Sequence, residues 1–162
     1  MDSFKELFEN FAQGGRVVFI GLRPWRREKV IATDRVLAIA DRGLEGDRYK
    51  NNGGIRQVTL IQEEHLTAVA SFLGKPQIDP ALPRRNIVVR GINLLSLKGK
   101  QFKVGEALLE YPGECHPCSR MEELLGEGGY NAMRGHGGIT ARVIRGGILA
   151  LNDPVFPVPT QK

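Results

Sequence analysis

Short runs of β-branched residues separated by glycine constrain the fold of this chain more than any other feature. Valine and isoleucine favour strands, and runs of two to five residues are too short for helices. Glycine occurs 20 times and supplies turns and bulges between the runs. We therefore predict a mainly β protein with a few helices, its strands forming a twisted barrel. The predicted strands are Val17–Ile20, Val30–Ile31, Val36–Ile39, Val58–Ile61, Ile87–Val89, Phe102–Val104, Ala107–Tyr111, Ala141–Ile144 and Ile148–Leu151.

Two segments have helical periodicity instead. Apolar residues recur every three to four positions from Phe4 to Phe11, and Gly14 ends the pattern. A second such pattern, over residues 63–73, is closed by Gly74. Pro76–Pro83 is interpreted as a loop. Each of these segments predicts a helix.

Length and composition predict one domain. With 162 residues, 41% of them apolar, the chain can bury a single ordinary core. We assign residues 1–14 to a helical appendage, which packs on the domain or forms a homodimer contact, and residues 15–162 to a single barrel with an irregular tail after Pro154. Two cysteines are too few for a disulfide framework, and neither a signal segment nor a membrane-length apolar run is visible. A cytoplasmic protein without membrane contact is expected.

The charge of the chain favours an anionic ligand. Its formal net charge is +5, and 15 of its 23 basic residues are arginine, the side chain that binds oxyanions in a fork. A solvated basic surface is the alternative. Trp25 beside Arg23, Arg26 and Arg27 is poor evidence for a nucleic-acid surface, because it is one aromatic among arginines. No nucleic-acid partner is predicted.

Both cysteines lie in the segment Gly113-Glu-Cys-His-Pro-Cys-Ser-Arg-Met-Glu122. A strand is predicted before it, Pro112-Gly113 breaks that strand, and a helix is predicted to begin at Cys118. A cysteine in the first helical turn has its thiolate stabilised by unpaired N–H groups and the helix dipole. Arg120 and His116 would act in the same direction. The placement predicts a functional thiolate.

Two other interpretations of this segment remain open. A Cys-x-x-Cys pair between strand and helix is also typical of thiol–disulfide oxidoreductases, with Cys115 and Cys118 as the redox pair. A structural zinc site would need four ligands, drawn from the two cysteines and from His65, His116 and His136. His65 lies within the second predicted helix, and no role is assigned to it.

Glycine- and arginine-containing motifs follow one another in a specific order from about Val30 to Val155. They are Gly43–Tyr49, Gly53–Ile61, Arg84–Gly91, Gly99–Gly105, the Cys115–Cys118 turn, Arg134–Gly138 and Arg145–Gly147. Their order and spacing resemble the MOSC family, named for the C-terminal domain of molybdenum cofactor sulfurases. The resemblance implies a β-barrel of the type first seen in pyruvate kinase.

The resemblance also implies a role for Cys118, which matches the characteristic cysteine of the family, whereas Cys115 matches a variable position. In sulfurases this cysteine is thought to receive sulfur as a persulfide, and in amidoxime-reducing relatives it binds the molybdenum of a pterin cofactor. Small relatives are linked to detoxifying N-hydroxylated bases. A soft thiolate suits either cargo. The expected function is reduction of N-hydroxylated compounds on molybdenum bound by Cys118; the alternative is a persulfide sulfur carrier for cofactor assembly.

Further site residues are implied around an anionic cofactor. Arginines and glycine-rich turns suit the pterin phosphate. We place the anion contacts on Arg48, Arg84, Arg85 and Arg134. Asp47 and Asn86 align a ligand or fix those arginines, and His136 donates to an oxo group or caps a turn.

The chain departs from the larger proteins that it resembles. It has neither the aminotransferase-like domain that carries pyridoxal phosphate in sulfurases nor the extra N-terminal module of amidoxime reducers. No pyridoxal phosphate is therefore expected. A separate flavin or iron–sulfur reductase is the expected partner of the enzyme, and a cysteine desulfurase is the expected partner of the carrier.

Overall fold

The computed structural model describes residues 4–48 and 54–159, which contain eleven strands and four short α-helices. The strands are β1 (Gly15–Leu22), β2 (Ile31–Ala32), β3 (Arg35–Ile39), β4 (Gly43–Leu44), β5 (Val58–Gln62), β6 (Ile87–Arg90), β7 (Gln101–Val104), β8 (Ala107–Glu114), β9 (Ile139–Arg145), β10 (Gly147–Ala150) and β11 (Pro154–Pro157). The helices are α1 (Phe4–Phe8), α2 (Glu63–Phe72), α3 (Arg120–Leu125) and α4 (Gly129–Met133), with a 3₁₀ turn at Leu94–Leu97.

Seven strands close into a barrel in the order β11-β7-β8-β9-β5-β6-β1, and pairing of β1 with β11 completes the ring. Strand β2 extends β1, while β10, β3 and β4 form a separate three-stranded sheet. All pairs are antiparallel except β5–β6, whose crossover contains α2. The predicted mainly β barrel is confirmed.

Successive side chains of a strand point to opposite faces, and in this protein they fill two separate apolar cores. In β5, Val58 and Leu60 face the barrel interior, whereas Ile61 belongs to a second cluster outside the barrel. In β6, Ile87 faces inward and Val88 outward in the same way. The outer cluster packs the strands against residues of α2, α3 and α4. Because both faces of these strands are buried, apolar residues occupy successive positions in them and not only every second one.

Two boundary predictions were wrong. Pro112-Gly113 does not end β8, which continues to Glu114 and instead changes register against β9 between Glu110 and Gly113. The tail predicted to be irregular after Pro154 begins as a strand, because Pro154–Pro157 forms β11 and pairs with both β7 and β1. Proline lacks an N–H, and the two prolines are tolerated because they lie at the ends of this strand.

The opening helix is shorter than predicted. It covers Phe4–Phe8, and its apolar side chains are exposed. Phe11, beyond its end, packs against the barrel core. The appendage and dimer contact assigned to residues 1–14 stay predictions. In the described part of the chain, no helix combines the length and apolar character needed to span a membrane.

Candidate anion and thiol site

An open pocket of about 790 Å³ lies at one end of the barrel. It forms where six chain segments meet: residues 23–27 after β1, Arg48 after β4, 54–59 leading into β5, 83–85 before β6, 115–121 after β8, and Thr140 in β9. Strand ends of a barrel converge in space although they are distant in sequence. Both cysteines line this pocket.

Positive charge dominates the pocket wall. Eight lining residues are arginines, and none of the described lining residues is aspartate or glutamate. The arginines are Arg23, Arg26, Arg27, Arg48, Arg56, Arg84, Arg85 and Arg120. Such a concentration of one charge sign in a concave site attracts anions. Arg48, Arg84 and Arg85 were predicted for the site, whereas the predicted Arg134 does not line it.

Arg85 holds a buried charge at the pocket wall. Only 7% of this residue is exposed, and its guanidinium donates to the carbonyl oxygens of Gly137 (2.8 Å), Pro83 (2.9 Å) and Cys115 (3.5 Å). No carboxylate within the described ranges forms an ion pair with it. Burial lowers the pKa of Arg85, and negative charge on Cys115 and Cys118 counteracts this. A buried guanidinium therefore lies beside the segment that carries the cysteines.

Arg84 lies among like charges. Burial is the main reason that its pKa lies below the usual range, and the positive charges of Arg120, Arg23 and Arg48 act in the same direction. Its backbone is left-handed (φ +62°), and its side chain donates to the carbonyl oxygen of Glu28. A bound anion would relieve the repulsion between these guanidinium groups.

Asp47 and Asn86 hold Arg23. The Arg23 side chain forms an ion pair with Asp47 at 3.0 Å and donates to Oδ1 of Asn86 at 3.2 Å. Asn86 is fully buried and also bonds the backbone of Thr59 and Gly21 at 3.0 Å each. Asp47 and Asn86 thus fix an arginine, the second of the two predicted alternatives, but that arginine is Arg23 and not one of those predicted for the anion site. Sequence reasoning had treated Arg23 only as part of an arginine cluster beside Trp25.

We expect Asp47→Asn to lower the free energy of unfolding by about 2 kcal/mol, because it leaves the partly buried Arg23 charge without its counter-ion. The Asp47 side chain is only 3% exposed. Urea unfolding would measure the change. Asp34→Asn is the matched control, because Asp34 is exposed and should be neutral. Equal stability of the Asp47 variant and the wild type would contradict the assigned role of the ion pair.

The two cysteines differ in exposure. Both are free thiols; Cys118 is exposed, whereas Cys115 is partly buried. The N–H of Cys115 donates to the carbonyl of Gly138 at 2.8 Å, so its backbone is fixed against the start of β9. The side chain of Cys118 is the more accessible nucleophile or ligand.

The prediction that Cys118 lies in the first helical turn was wrong. Helix α3 begins at Arg120 with Ser119 as its N-cap, and the carbonyl of Cys118 accepts the N–H of Met121 at 2.9 Å. The cysteine therefore precedes the helix, and α3 has only six residues. The helix dipole therefore gives no reason to expect a stabilised thiolate at Cys118, and the charged groups that share its pocket are arginines.

Arg134 and His136 lie apart from the pocket lining. Arg134 is exposed after α4. The His136 ring packs edge-on against His65, with centroids 4.9 Å apart, and against Phe72 at 5.5 Å. Its Nδ1 is 2.9 Å from the carbonyl oxygen of Arg134, a local turn contact. In residues 4–48 and 54–159, no group of three or more His, Cys, Asp or Glu side chains is placed to hold a metal ion, so the zinc interpretation lacks a ligand set.

We expect acid destabilisation to depend on His65. Burial, and secondarily the charge of His136, lowers the pKa of His65, while Glu64 opposes this. The unfolded chain therefore binds a proton at His65 more tightly than the folded chain does. The contribution of neutral His65 to stability is fully present above pH 6.5, and it is lost as the pH falls from there through the folded pKa. Between pH 7.5 and 5.5 the thermal midpoint should fall less in His65→Gln than in wild type. His116→Gln, at an exposed site, should behave like wild type; an unchanged acid response in His65→Gln would refute the assignment.

The fold and the pocket define a class of small barrel proteins that present a cysteine within a cationic cavity. The family model of the MOSC domain matches residues 47–156, and the chain belongs to the MOSC domain family. This confirms the resemblance noted in the sequence.

Solved structures agree with this fold. YuaD from Bacillus subtilis is 19% identical with a TM-score of 0.77, covering 88% of this chain and 94% of its own. YiiM from Escherichia coli is 22% identical with a TM-score of 0.67, covering 90% and 71%. YiiM from Geobacillus stearothermophilus is 16% identical with a TM-score of 0.69, covering 90% and 75%. No curated protein matches the chain.

Proposed function

We propose that this chain binds a molybdenum–pterin cofactor through the thiolate of Cys118 and, with a separate reductase, reduces N-hydroxylated compounds. One observation carries the proposal: an exposed thiol shares a pocket with eight arginines and, among the described lining residues, no carboxylate. One cavity thus offers both a ligand for the metal and a positively charged site for the anionic pterin that binds the metal. The MOSC resemblance supplies the identity of the cargo.

The residues present fit this cofactor. A thiolate is a soft ligand, which suits molybdenum. Guanidinium groups bind phosphate oxygens in pairs, and Arg84 and Arg120 have no strong carboxylate competitor in the described structure. The carboxylate of Glu123 forms only a long ion pair with Arg120, at 4.0 Å. Arg85 uses three donors on carbonyl oxygens, so it contributes charge more than direct phosphate contacts.

The proposed reaction consumes two electrons and two protons: R–NHOH becomes R–NH₂ and water. When bound, the cofactor supplies the redox centre for this exchange. Cys118 would hold it, and the less exposed arginines of the pocket, Arg23, Arg84, Arg85 and Arg120, would orient it and neutralise its charge. None of the described lining residues is a carboxylic acid or histidine, so protons would enter from water through the open mouth. Electrons would come from a separate flavin or iron–sulfur reductase.

Sulfur carriage is the second candidate, and the exposure of Cys118 favours it. The Cys118 thiolate would attack the outer sulfur of a desulfurase persulfide, R–S–SH, to give Cys118–S–SH and release the donor thiolate. Arginine charge would stabilise the attacking thiolate. This version needs an accessible thiol and a desulfurase partner but no bound metal.

A dithiol oxidoreductase is the remaining alternative, because Cys115 and Cys118 line the same cavity. It would cycle between two thiols and one disulfide, releasing two electrons and two protons on oxidation. It requires both cysteines, whereas the other two functions require only Cys118.

Cargo analysis of the wild-type protein tests these functions. The full chain would be purified anaerobically from a host that makes the pterin cofactor, and then assayed for molybdenum, pterin and cyanide-labile sulfur. About one molybdenum per chain is expected. Metal-free protein with labile sulfur would favour the carrier, and protein with neither, but with a reversible disulfide, would favour the oxidoreductase.

A further inference from the structure

The eight pocket arginines fall into an inner and an outer set. Arg23, Arg84 and Arg120 are partly buried and Arg85 is buried, whereas the other four are exposed at the mouth. Two exposed apolar side chains line the same mouth, Trp25 (68% exposed) and Ile55 (58% exposed). We call the four exposed arginines together with these two apolar residues the rim, which consists of Trp25, Arg26, Arg27, Arg48, Ile55 and Arg56.

The rim arginines are not engaged in holding the fold. The inner arginines donate to carbonyl groups or form ion pairs with Asp47 and Glu123. In the described part of the chain no ion pair or side-chain hydrogen bond is found for Arg26, Arg27, Arg48 or Arg56. Four solvated positive charges at one opening produce a field that extends into solvent and can steer a charged partner.

The apolar part of the rim suggests a protein partner. Tryptophan and arginine are enriched among the residues that dominate binding energy at protein interfaces. An exposed apolar surface surrounded by charge is typical of an interaction site. A single-stranded nucleic acid is favoured less, because such sites stack successive bases on several aromatic side chains, and Trp25 is the only aromatic residue among the described residues that line this pocket.

We propose that the rim is the docking surface for a small acidic electron-transfer protein. This rests on the proposed reductase function, in which electrons must come from outside. The two cysteines of the chain are too few to bind an iron–sulfur cluster of its own. The mouth that the rim surrounds also leads to Cys118, so a carrier docked there lies directly over the proposed redox centre. Carrier and substrate would use one opening in turn, which predicts ping-pong kinetics.

Binding of a fluorescently labelled plant-type ferredoxin, an acidic iron–sulfur carrier, tests the docking surface. Its affinity would be measured by anisotropy for the wild type, for the rim variant Arg26→Glu/Arg27→Glu, and for Trp25→Ala. The control is Arg35→Glu/Arg145→Glu, which changes net charge equally at exposed positions outside the pocket. Molybdenum content would be measured for each protein in parallel.

The rim variant is expected to weaken ferredoxin binding at least about tenfold, the control by less than about twofold, and added salt should weaken wild-type binding. Equal binding by the rim variant and the wild type, or an equal loss in the control, would overturn the proposal. Preferential, rim-dependent binding of a short oligothymidylate over ferredoxin would overturn it in favour of nucleic acid. Absence of molybdenum from the wild type would refute the reductase function, a failure separate from that of docking.

Discussion

Cys118→Ser is expected to lose more than about nine-tenths of the bound molybdenum, whereas Cys115→Ser retains it. A serine hydroxyl is a harder and much less acidic ligand than a thiol, so it replaces a soft thiolate poorly. Cys118 is exposed in the pocket, and Cys115 is partly buried. Elemental analysis of anaerobically purified protein, normalised to chain concentration, measures the effect.

The Cys115→Ser variant is the internal control for this experiment. It removes the other sulfur of the same cavity, while the backbone bond from Cys115 to Gly138 does not depend on the side chain. Urea unfolding of both variants would verify that they remain folded. Equal metal loss in both would contradict the assignment of Cys118 as the ligand, and loss of disulfide-linked activity in both would indicate the dithiol alternative.

Gly137→Ala is expected to lower the free energy of unfolding by about 3 kcal/mol or more and to reduce cargo binding. A Cβ at this buried position would clash with the carbonyl oxygen of Cys115 and lie 3.4 Å from the guanidinium of Arg85. Neither group can retreat freely, because the N–H of Cys115 bonds Gly138 and Arg85 donates to the carbonyl of Gly137. The clash must therefore displace the segment that carries the cysteines or the buried arginine.

Gly113→Ala is the matched control, because a Cβ there would meet no atom within 4 Å. Its effect should be within about 0.5 kcal/mol. Denaturant unfolding measures stability, and molybdenum content measures the pocket. A Gly137→Ala protein with wild-type stability would mean that the two segments are not packed as tightly as the structure has them.

The sequence predicted the barrel because its strands are short runs of β-branched residues bounded by glycine. Elements that lack such a run could not be recognised, or could not be given correct ends, in the same way. Strand β11 was missed because it contains two prolines, which are unusual in strands. The start of α3 was placed two residues too early because Pro117 and Ser119 are both compatible with a turn. Local propensity gives the type of an element more reliably than its ends.

The candidate site was predictable only in part, for a physical reason. Arg84 and Arg85 adjoin a strand whose end forms the pocket, so proximity to a recognisable element revealed them. Arg23 was not assigned, because its role depends on Asp47 and Asn86, which lie 24 and 63 positions away. The position of Arg134 outside the pocket depends on α4, a helix that its glycine-rich sequence did not predict.

The pairing of β1 with β11 brings the first and last strands of the barrel side by side, with Gly15 opposite Val155. A unit whose chain enters and leaves at adjacent points can be inserted into a loop of another protein without separating the two sides of that loop. The same adjacency allows circular permutation, with a short linker joining the strands and new termini opened in a surface turn. The barrel is therefore structurally suited to act as a transferable module.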